Sequence, residues 1–187
     1  MLELGTGTGR VADALHRAGI VRYVGVESSS RMIAALRARD GCAALDIVHG
    51  DFSVCVLPGP FELIFALTST FHLLASAERQ AAAFRHLAAH LSVAGTLLIE
   101  CNDPIDAADR GRTTHRVHHI DTARGIRPYP VTQYASARDE LDAMAGDAGL
   151  SCAQRWSDWS RRVDPGAVRH ISLYRRRAES VSAPVPA

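Results

Sequence analysis

The stretch Leu2-Glu3-Leu4-Gly5-Thr6-Gly7-Thr8-Gly9 decides the fold of this chain. A short apolar segment runs into three glycines at alternate positions, and apolar residues then recur at helical spacing from Val11 to Ala18. Glycine suits a point where the backbone turns sharply and approaches a ligand closely, because a Cβ would obstruct both. The pattern predicts a strand, a ligand-binding turn and a helix; a tight turn without a ligand is the plain alternative.

Strand and helix signals alternate from this point to about Cys101. We predict further strands at Val24–Val26, Ile47–Val48, Phe61–Leu67 and Thr96–Cys101. One intervening helix is expected to turn Met32, Ala35 and Leu36 inward. Another, from about Ala77, is expected to bury Phe84, Leu87, Ala88 and Leu91 and to turn at Gly95 into the fifth strand. Five strands alternating with helices predict an α/β fold with a parallel sheet wound on both faces.

The pattern changes after Cys101. Strand signals are weak at Val117–Ile120 and Val131–Tyr134, and a helix is predicted with Ser136 as its cap and Asp139 three residues later. Two final strands, Cys152–Trp156 and His170–Tyr174, are close enough for an antiparallel hairpin. We expect residues 1–177 to form one domain and residues 178–187 a disordered tail.

Composition excludes several classes of function. The 187 residues carry a formal net charge of +1, so no strongly basic surface for nucleic acid is expected. No apolar run approaches the roughly 20 residues of a membrane span, and no signal peptide is visible, so a cytoplasmic protein is expected. The four cysteines form no CxxC pair, which argues against a zinc knuckle or a disulfide framework.

Several segments resemble one family. The pattern Glu-x-Gly-x-Gly-x-Gly from Glu3 to Gly9 resembles motif I of class I S-adenosylmethionine-dependent methyltransferases, whereas a nicotinamide fingerprint would need glycine in place of Arg10. Further along the chain, Glu27 with the serines after it, Gly50-Asp51-Phe52, Phe61–Phe65 and Leu91–Ile99 resemble later segments of that family, in the same order. The chain is similar to bacterial members that act on small molecules.

The resemblance implies a Rossmann-like, doubly wound, mostly parallel sheet with an antiparallel C-terminal hairpin, and S-adenosylmethionine as cofactor. Glu27 would accept hydrogen bonds from the ribose, Asp51 would meet the adenine amino group, and the next side chain would flank the ring. The full set of implied cofactor-binding residues is Glu3, Gly5, Thr6, Gly7, Gly9, Glu27, Ser28, Met32, Asp51, Phe52, Leu67 and Thr68. Each has a structural alternative: Glu27 as a solvated strand end, Asp51 as a turn residue and Phe52 as core.

The predicted acceptor is a small molecule, because the Asn/Asp-Pro-Pro-aromatic signature of nucleic-acid amino methylation is absent after the fourth strand. His72 is the candidate catalytic base or acceptor-orienting group, since its side chain titrates near neutral pH; packing is the alternative. Glu100 follows the fifth strand as either a site residue or an edge carboxylate. The cluster at 115–119 (His115, His118 and His119) lacks a companion carboxylate or cysteine at ligand spacing, so a solvated hairpin is predicted rather than a metal site. The oligomeric state is left open.

Family members normally carry a helix and a complete first strand before the glycines. Because Glu3 follows Met1 so closely, we expect an N-terminally truncated chain that folds marginally and binds cofactor weakly. Two alternatives remain at this stage: a non-enzymatic protein that keeps the methyltransferase fold, and a nicotinamide-dependent oxidoreductase.

Overall fold

The computed structural model describes residues 1–20, 22–39, 41–42, 45–122 and 125–177, so the predicted tail at 178–187 lies outside it. The strands are β1 (Leu2–Leu4), β2 (Val24–Glu27), β3 (Asp46–His49), β4 (Phe61–Ala66), β5 (Leu91–Asn102), β6 (Thr113–Thr122), β7 (Gly125–Tyr134), β8 (Leu150–Trp156) and β9 (Arg169–Arg176). The α-helices are α1 (Arg10–Arg17), α2 (Ser30–Arg37), α3 (Ala77–Ala89) and α4 (Arg138–Asp147), and a 3₁₀ turn spans Thr70–Leu73.

Seven strands of the described residues form one sheet in the order β3-β2-β1-β4-β5-β9-β8. β1 pairs in parallel with β2 on one side and with β4 on the other, so the strand order reverses between β1 and β4. This reversal opens a crevice at the carboxyl ends of the two strands. β9 runs antiparallel to both β5 and β8. The predicted doubly wound, mostly parallel α/β sheet with an antiparallel C-terminal hairpin is confirmed.

β5 begins at Leu91, so the predictions that Leu91 lies on the preceding helix and that the strand starts at Thr96 are both wrong. Its pairing with β4 is irregular: Leu91 lies opposite Phe61, and Thr96 lies opposite Leu63. Gly95 packs so closely against β4 that an added Cβ would lie 2.8 Å from the Phe61 carbonyl oxygen. The strand therefore passes through the glycine with an irregular step, whereas the sequence indicated a turn there.

The predicted cap of α4 is also wrong. The N-cap is Ala137, whose N–H donates to Glu140 Oε2 at 2.8 Å. The hydroxyl of Ser136 instead donates to Gln80 Oε1 at 2.7 Å, and both residues are fully buried. A buried amide needs partners, so the serine serves the contact between α3 and α4.

β6 and β7 pair antiparallel along their whole length and form a separate two-stranded sheet. Both are longer than the predicted segments Val117–Ile120 and Val131–Tyr134. Most of the described side chains of β7 are exposed. A ribbon without a buried face has no apolar alternation to mark its ends, which explains the underestimate.

The sheet separates two apolar clusters. The larger one joins the centre of the sheet, including Leu97 and Ile99, to α3 and α4, and it contains the ring contacts of Phe84 with Phe71 (4.9 Å) and with Tyr174 (5.5 Å). The smaller one lies around Phe65 on the side of α1. On α2, Leu36 is buried as predicted but Ala35 is exposed, because this helix packs against β2 and the edge strand β3 with one face only.

Replacing Leu97 by Ala tests the larger cluster. Leu97 is 0% exposed at the centre of β5, so the cavity left by Leu97→Ala should lower the free energy of unfolding by about 2–5 kcal/mol. Val93→Ala, on the same strand but 91% exposed, is the matched control and should change it little. Urea denaturation measures both; equal losses would contradict the assigned position of β5.

Candidate functional site

The glycine loop, Gly5–Gly9, follows β1 at the crevice. The N–H groups of Gly5 and Thr6 both donate to the Val26 carbonyl, at 2.8 and 3.0 Å. Gly5 has a φ of +67°, and a Cβ there would lie 2.5 Å from the methyl group of Thr70. The loop is thus fixed to the end of β2 on one side and in contact with the segment after β4 on the other.

Glu27, the last residue of β2, holds the same loop through its side chain. Its Oε2 accepts the N–H of Gly7 at 2.8 Å, and its Oε1 accepts the N–H of Ser29 at 2.8 Å. Ser29 is in turn the N-cap of α2 and accepts the N–H of Met32. A single carboxylate therefore joins the glycine loop to the start of α2, and each oxygen keeps a lone pair for a ligand.

Two cavities flank the glycine loop and share Gly5, Gly7 and Thr70 in their walls. The larger, of about 480 Å³, is lined by residues that include Glu27, Ser28, Met32, Asp51, Phe52, Leu74, Arg79 and Tyr129. The smaller, of about 170 Å³, is lined by residues that include Glu3, Thr6, Arg10, Leu67 and Thr68. The two cavities are therefore neighbours on either side of the loop.

Asp51 stands at the far wall of the larger cavity. Its Oδ1 accepts the N–H and the hydroxyl of Ser53, at 2.9 and 2.7 Å, and its Oδ2 accepts a hydrogen bond from Arg79 at the start of α3. Burial alone would raise the pKa of Asp51, but the bonds from Ser53 and the guanidinium of Arg79 outweigh it and hold that pKa below its usual range. Asp51 is therefore an ionised acceptor facing the cavity.

Glu3 lies on the face of β1 opposite its leucines. It is buried, and the hydroxyl of Tyr23 donates to its Oε2. Burial raises the pKa of Glu3 to about 7, although the bond from Tyr23 and the charge of Arg10 act in the opposite direction. The smaller cavity thus contains a carboxyl group that titrates near neutral pH.

His72 lies in the 3₁₀ turn, 3% exposed, and lines neither cavity. Burial lowers its pKa to about 4, although a hydrogen bond with the Ser136 backbone and the charge of Asp103 act in the opposite direction. Its Nε2 has no hydrogen-bond partner among the described residues. The ring is neutral at pH 7, and its role as catalytic base stays a prediction.

A family model described as a methyltransferase domain matches residues 1–95, about half of the chain. The chain belongs to this methyltransferase family. The matched residues contain the glycine loop, Glu27 and Asp51, and the assignment favours methyl transfer over the nicotinamide alternative.

Solved structures support the same fold. The CcbJ methyltransferase from Streptomyces caelestis is 29% identical, with a TM-score of 0.81 over 94% of this chain and 88% of that one. An S-adenosylmethionine-dependent methyltransferase from Clostridium acetobutylicum is 12% identical (TM-score 0.77, 95% and 83% of the two chains). An amino pentose methyltransferase of calicheamicin biosynthesis from Micromonospora echinaspora is 19% identical (TM-score 0.66, 93% and 82%). The last two show the fold alone. No curated protein matches this chain.

In this methyltransferase the structure brings together at the two cavities every predicted cofactor-binding residue except Gly9. Gly9 packs behind the loop, where a Cβ would lie 2.9 Å from Leu36 Cγ. Close contact with Leu36 of α2 explains why this residue is a glycine. The sequence motif therefore combines two glycines that line the cavities with one packing glycine.

Arg79 and Tyr129 are among the wall residues of the larger cavity that were not predicted from the sequence. Arg79 had a usable signal: it lies in the first turn of a helix capped by Ser76, and helices after parallel strands begin at the ligand-binding edge. Tyr129 had no such signal. It lies on the exposed strand β7, and it lines the cavity because of where the two-stranded ribbon packs.

Among the described residues, no group of three or more His, Cys, Asp or Glu side chains is arranged to hold a metal ion. The side chains of His118 and His119 lie outside the described residues, while the His115 ring contacts the Thr132 hydroxyl. Within the described part of the chain, no helix has the length and apolarity to cross a membrane.

The raised pKa of Glu3 predicts how stability depends on pH. Between the ordinary glutamate pKa of 4.5 and the raised pKa of about 7, the folded state binds more protons at Glu3 than the unfolded state does. This group therefore makes stability fall as pH rises. Glu3→Gln, which mimics the protonated carboxyl, should remove a loss of roughly 2–3 kcal/mol across that window.

Urea denaturation at pH 5 and pH 7.5 of the wild type and of Glu3→Gln measures the effect as a difference between the two proteins. That difference is needed because burial lowers the pKa values of His72 and His170 to about 4, which makes stability rise with pH in both proteins. Parallel pH profiles for the two proteins would refute the assignment to Glu3.

Proposed function

We propose that this protein binds S-adenosylmethionine around the glycine loop and transfers its methyl group to a small-molecule acceptor. The observation that carries the proposal is the pair of cavities that share Gly5, Gly7 and Thr70, with a carboxylate suited to one part of the ligand in each. Family membership and the similarity to CcbJ support it.

The larger cavity suits the adenosine half of this cofactor. Glu27 would accept hydrogen bonds from the ribose hydroxyls through the lone pairs that Gly7 and Ser29 leave free. Asp51 would accept from the adenine amino group, and Phe52, which stacks on Phe71 at 6.4 Å, has a fixed ring to flank the base. Hydrogen bonds of this kind to ionised groups contribute about 1.5–3 kcal/mol each.

The smaller cavity suits the amino-acid half. Glu3 supplies a carboxyl group and Arg10 a guanidinium, which match the ammonium and carboxylate of a methionine moiety. Leu67 and Thr68 close the cavity from the end of β4. The position of the loop between the two cavities supports a ligand whose two halves meet beside Gly5.

When bound, the cofactor supplies a methyl carbon on a sulfonium sulfur; an acceptor lone pair forms the new bond to carbon while the electron pair of the carbon–sulfur bond passes to sulfur. The protein requires no nucleophile of its own for such a displacement. Its contribution is orientation, which supplies roughly 7–11 kcal/mol in well-aligned intramolecular reactions. A base is needed only for an acceptor that arrives protonated.

Replacing Glu27 tests the cofactor site. Glu27→Ala should weaken S-adenosylhomocysteine binding about tenfold or more, because the ribose loses its acceptor and the Gly7 N–H loses its partner. Glu62→Ala removes an exposed carboxylate of β4 outside both cavities and should leave affinity unchanged. Isothermal titration calorimetry measures both; no binding by the folded wild type would end the proposal.

His72 is proposed as the group that accepts a proton from the acceptor or orients it. Because the ring is 3% exposed, this role requires the 3₁₀ turn to open when an acceptor binds. His72→Gln should then lower kcat by about a hundredfold and leave S-adenosylhomocysteine affinity unchanged, whereas His16→Gln on the exposed face of α1 should alter neither. Unchanged turnover would leave His72 as a packing residue.

The alternative is a protein that binds the cofactor without transferring its methyl group. Transfer of a labelled methyl group to a panel of amines (amino sugars among them), phenols and carboxylates separates the two. The same panel identifies the acceptor class on which the His72 variant is assayed.

A further inference from the structure

Two consecutive residues after β4 adopt a backbone conformation that their side chains disfavour. Thr68 has a φ of +55° and Ser69 a φ of +58°, and neither is glycine. Positive φ is uncommon outside glycine, and a β-branched residue such as threonine is a clear exception there. Such strained turns persist only where the surrounding structure holds them, and they concentrate at functional sites.

The end of β5 holds this turn through three hydrogen bonds. Glu100 Oε2 accepts the N–H of Thr68 at 3.1 Å, and the Glu100 carbonyl accepts the N–H of Ser69 at 3.0 Å. The hydroxyl of Ser69 accepts the N–H of Asn102 at 3.2 Å. Of these three bonds, only the one from the Thr68 N–H is accepted by the side chain of Glu100. The carboxylate therefore holds Thr68, which is the more strained of the two residues.

The Glu100 carboxylate has few other partners. Its side chain is 12% exposed, and its Oε1 lies 3.7 Å from Nη1 of Arg169, whose side chain is 45% exposed. An ion pair of that length with a half-exposed partner contributes little to stability. The bond to the Thr68 N–H is therefore its principal interaction in the described structure.

The turn that Glu100 holds is also a wall of the smaller cavity. Leu67, Thr68 and Thr70 line it together with Glu3 and Arg10, and Thr70 is the residue whose methyl group contacts Gly5. If the turn relaxed, this wall would move away from the glycine loop. The change would alter the smaller cavity and not the far end of the larger one. The larger cavity contains Thr70 but neither Leu67 nor Thr68.

We propose that Glu100 is a positioning residue: by accepting the Thr68 N–H, it holds the strained turn that shapes the binding site for the amino-acid half of the cofactor. The proposal rests on the proposed function. Glu100 acts through the Thr68 backbone, and its role requires a hydrogen-bond acceptor more than it requires a negative charge.

Three variants and two ligands separate this role from others. Glu100→Gln keeps an acceptor oxygen and loses the charge, and Glu100→Ala loses both. Arg169→Ala removes the ion pair, together with the bond from Arg169 Nε to the Ser157 carbonyl, and leaves the Glu100 carboxylate in place. S-adenosylhomocysteine occupies both halves of the site, whereas methylthioadenosine lacks the amino-acid half. Titration calorimetry gives the affinities, and hydrogen exchange at the Thr68 amide reports on the turn without any ligand.

Glu100→Ala should weaken S-adenosylhomocysteine about tenfold and leave methylthioadenosine unchanged, with faster exchange at the Thr68 amide. Glu100→Gln and Arg169→Ala should behave as the wild type in all three measurements. Equal weakening of both ligands by Glu100→Ala, no weakening of either, or a Gln variant as impaired as the Ala variant would each overturn the positioning role. A folded wild type that binds neither ligand would instead refute the cofactor assignment and, with it, this role; exchange at Thr68 would still show whether Glu100 holds the turn.

Discussion

The end of β2 is the point on which the rest of the site depends. The Val26 carbonyl and the Glu27 carboxylate together accept N–H groups from Gly5, Thr6, Gly7 and Ser29. A glycine-rich segment is entropically costly to order, so it keeps one conformation only because a neighbouring strand satisfies its donors. The crevice, the start of α2 and the position of both cavities follow from this attachment.

The backbone takes positive φ on both sides of the crevice, but it is stabilised there in different ways. After β1 the chain takes positive φ at glycines, where no Cβ opposes it. After β4 it takes positive φ at Thr68 and Ser69, where it must be held from β5 by Glu100. One wall is therefore encoded by residue type and the other by a tertiary contact, and both meet where Thr70 touches Gly5.

Ionisable groups with shifted pKa values give the site its electrostatic character. Asp51 is kept ionised by Arg79 and Ser53, while burial places the pKa of Glu3 near neutrality and keeps His72 uncharged. Perturbed groups of this kind are concentrated where charge matters to a ligand. Asp51 and Glu3 line different cavities beside the glycine loop, whereas His72, a buried residue of the 3₁₀ turn, lines neither.

The sequence alone determined the main sheet, its helices, the family and many of the residues that line the two cavities. Periodicity, glycine spacing and carboxylates at strand ends are local signals, and in this fold they recur at regular distances along the chain. The sequence placed the start of β5 and the cap of α4 wrongly, since an irregular pairing beside Gly95 and the bond from Ser136 to Gln80 depend on residues far apart in the chain. Only the tertiary structure decided that His72 is buried, that Tyr129 lines the larger cavity and that Glu100 contacts Thr68. Each of these depends on where separate elements pack, and no local pattern carries that information.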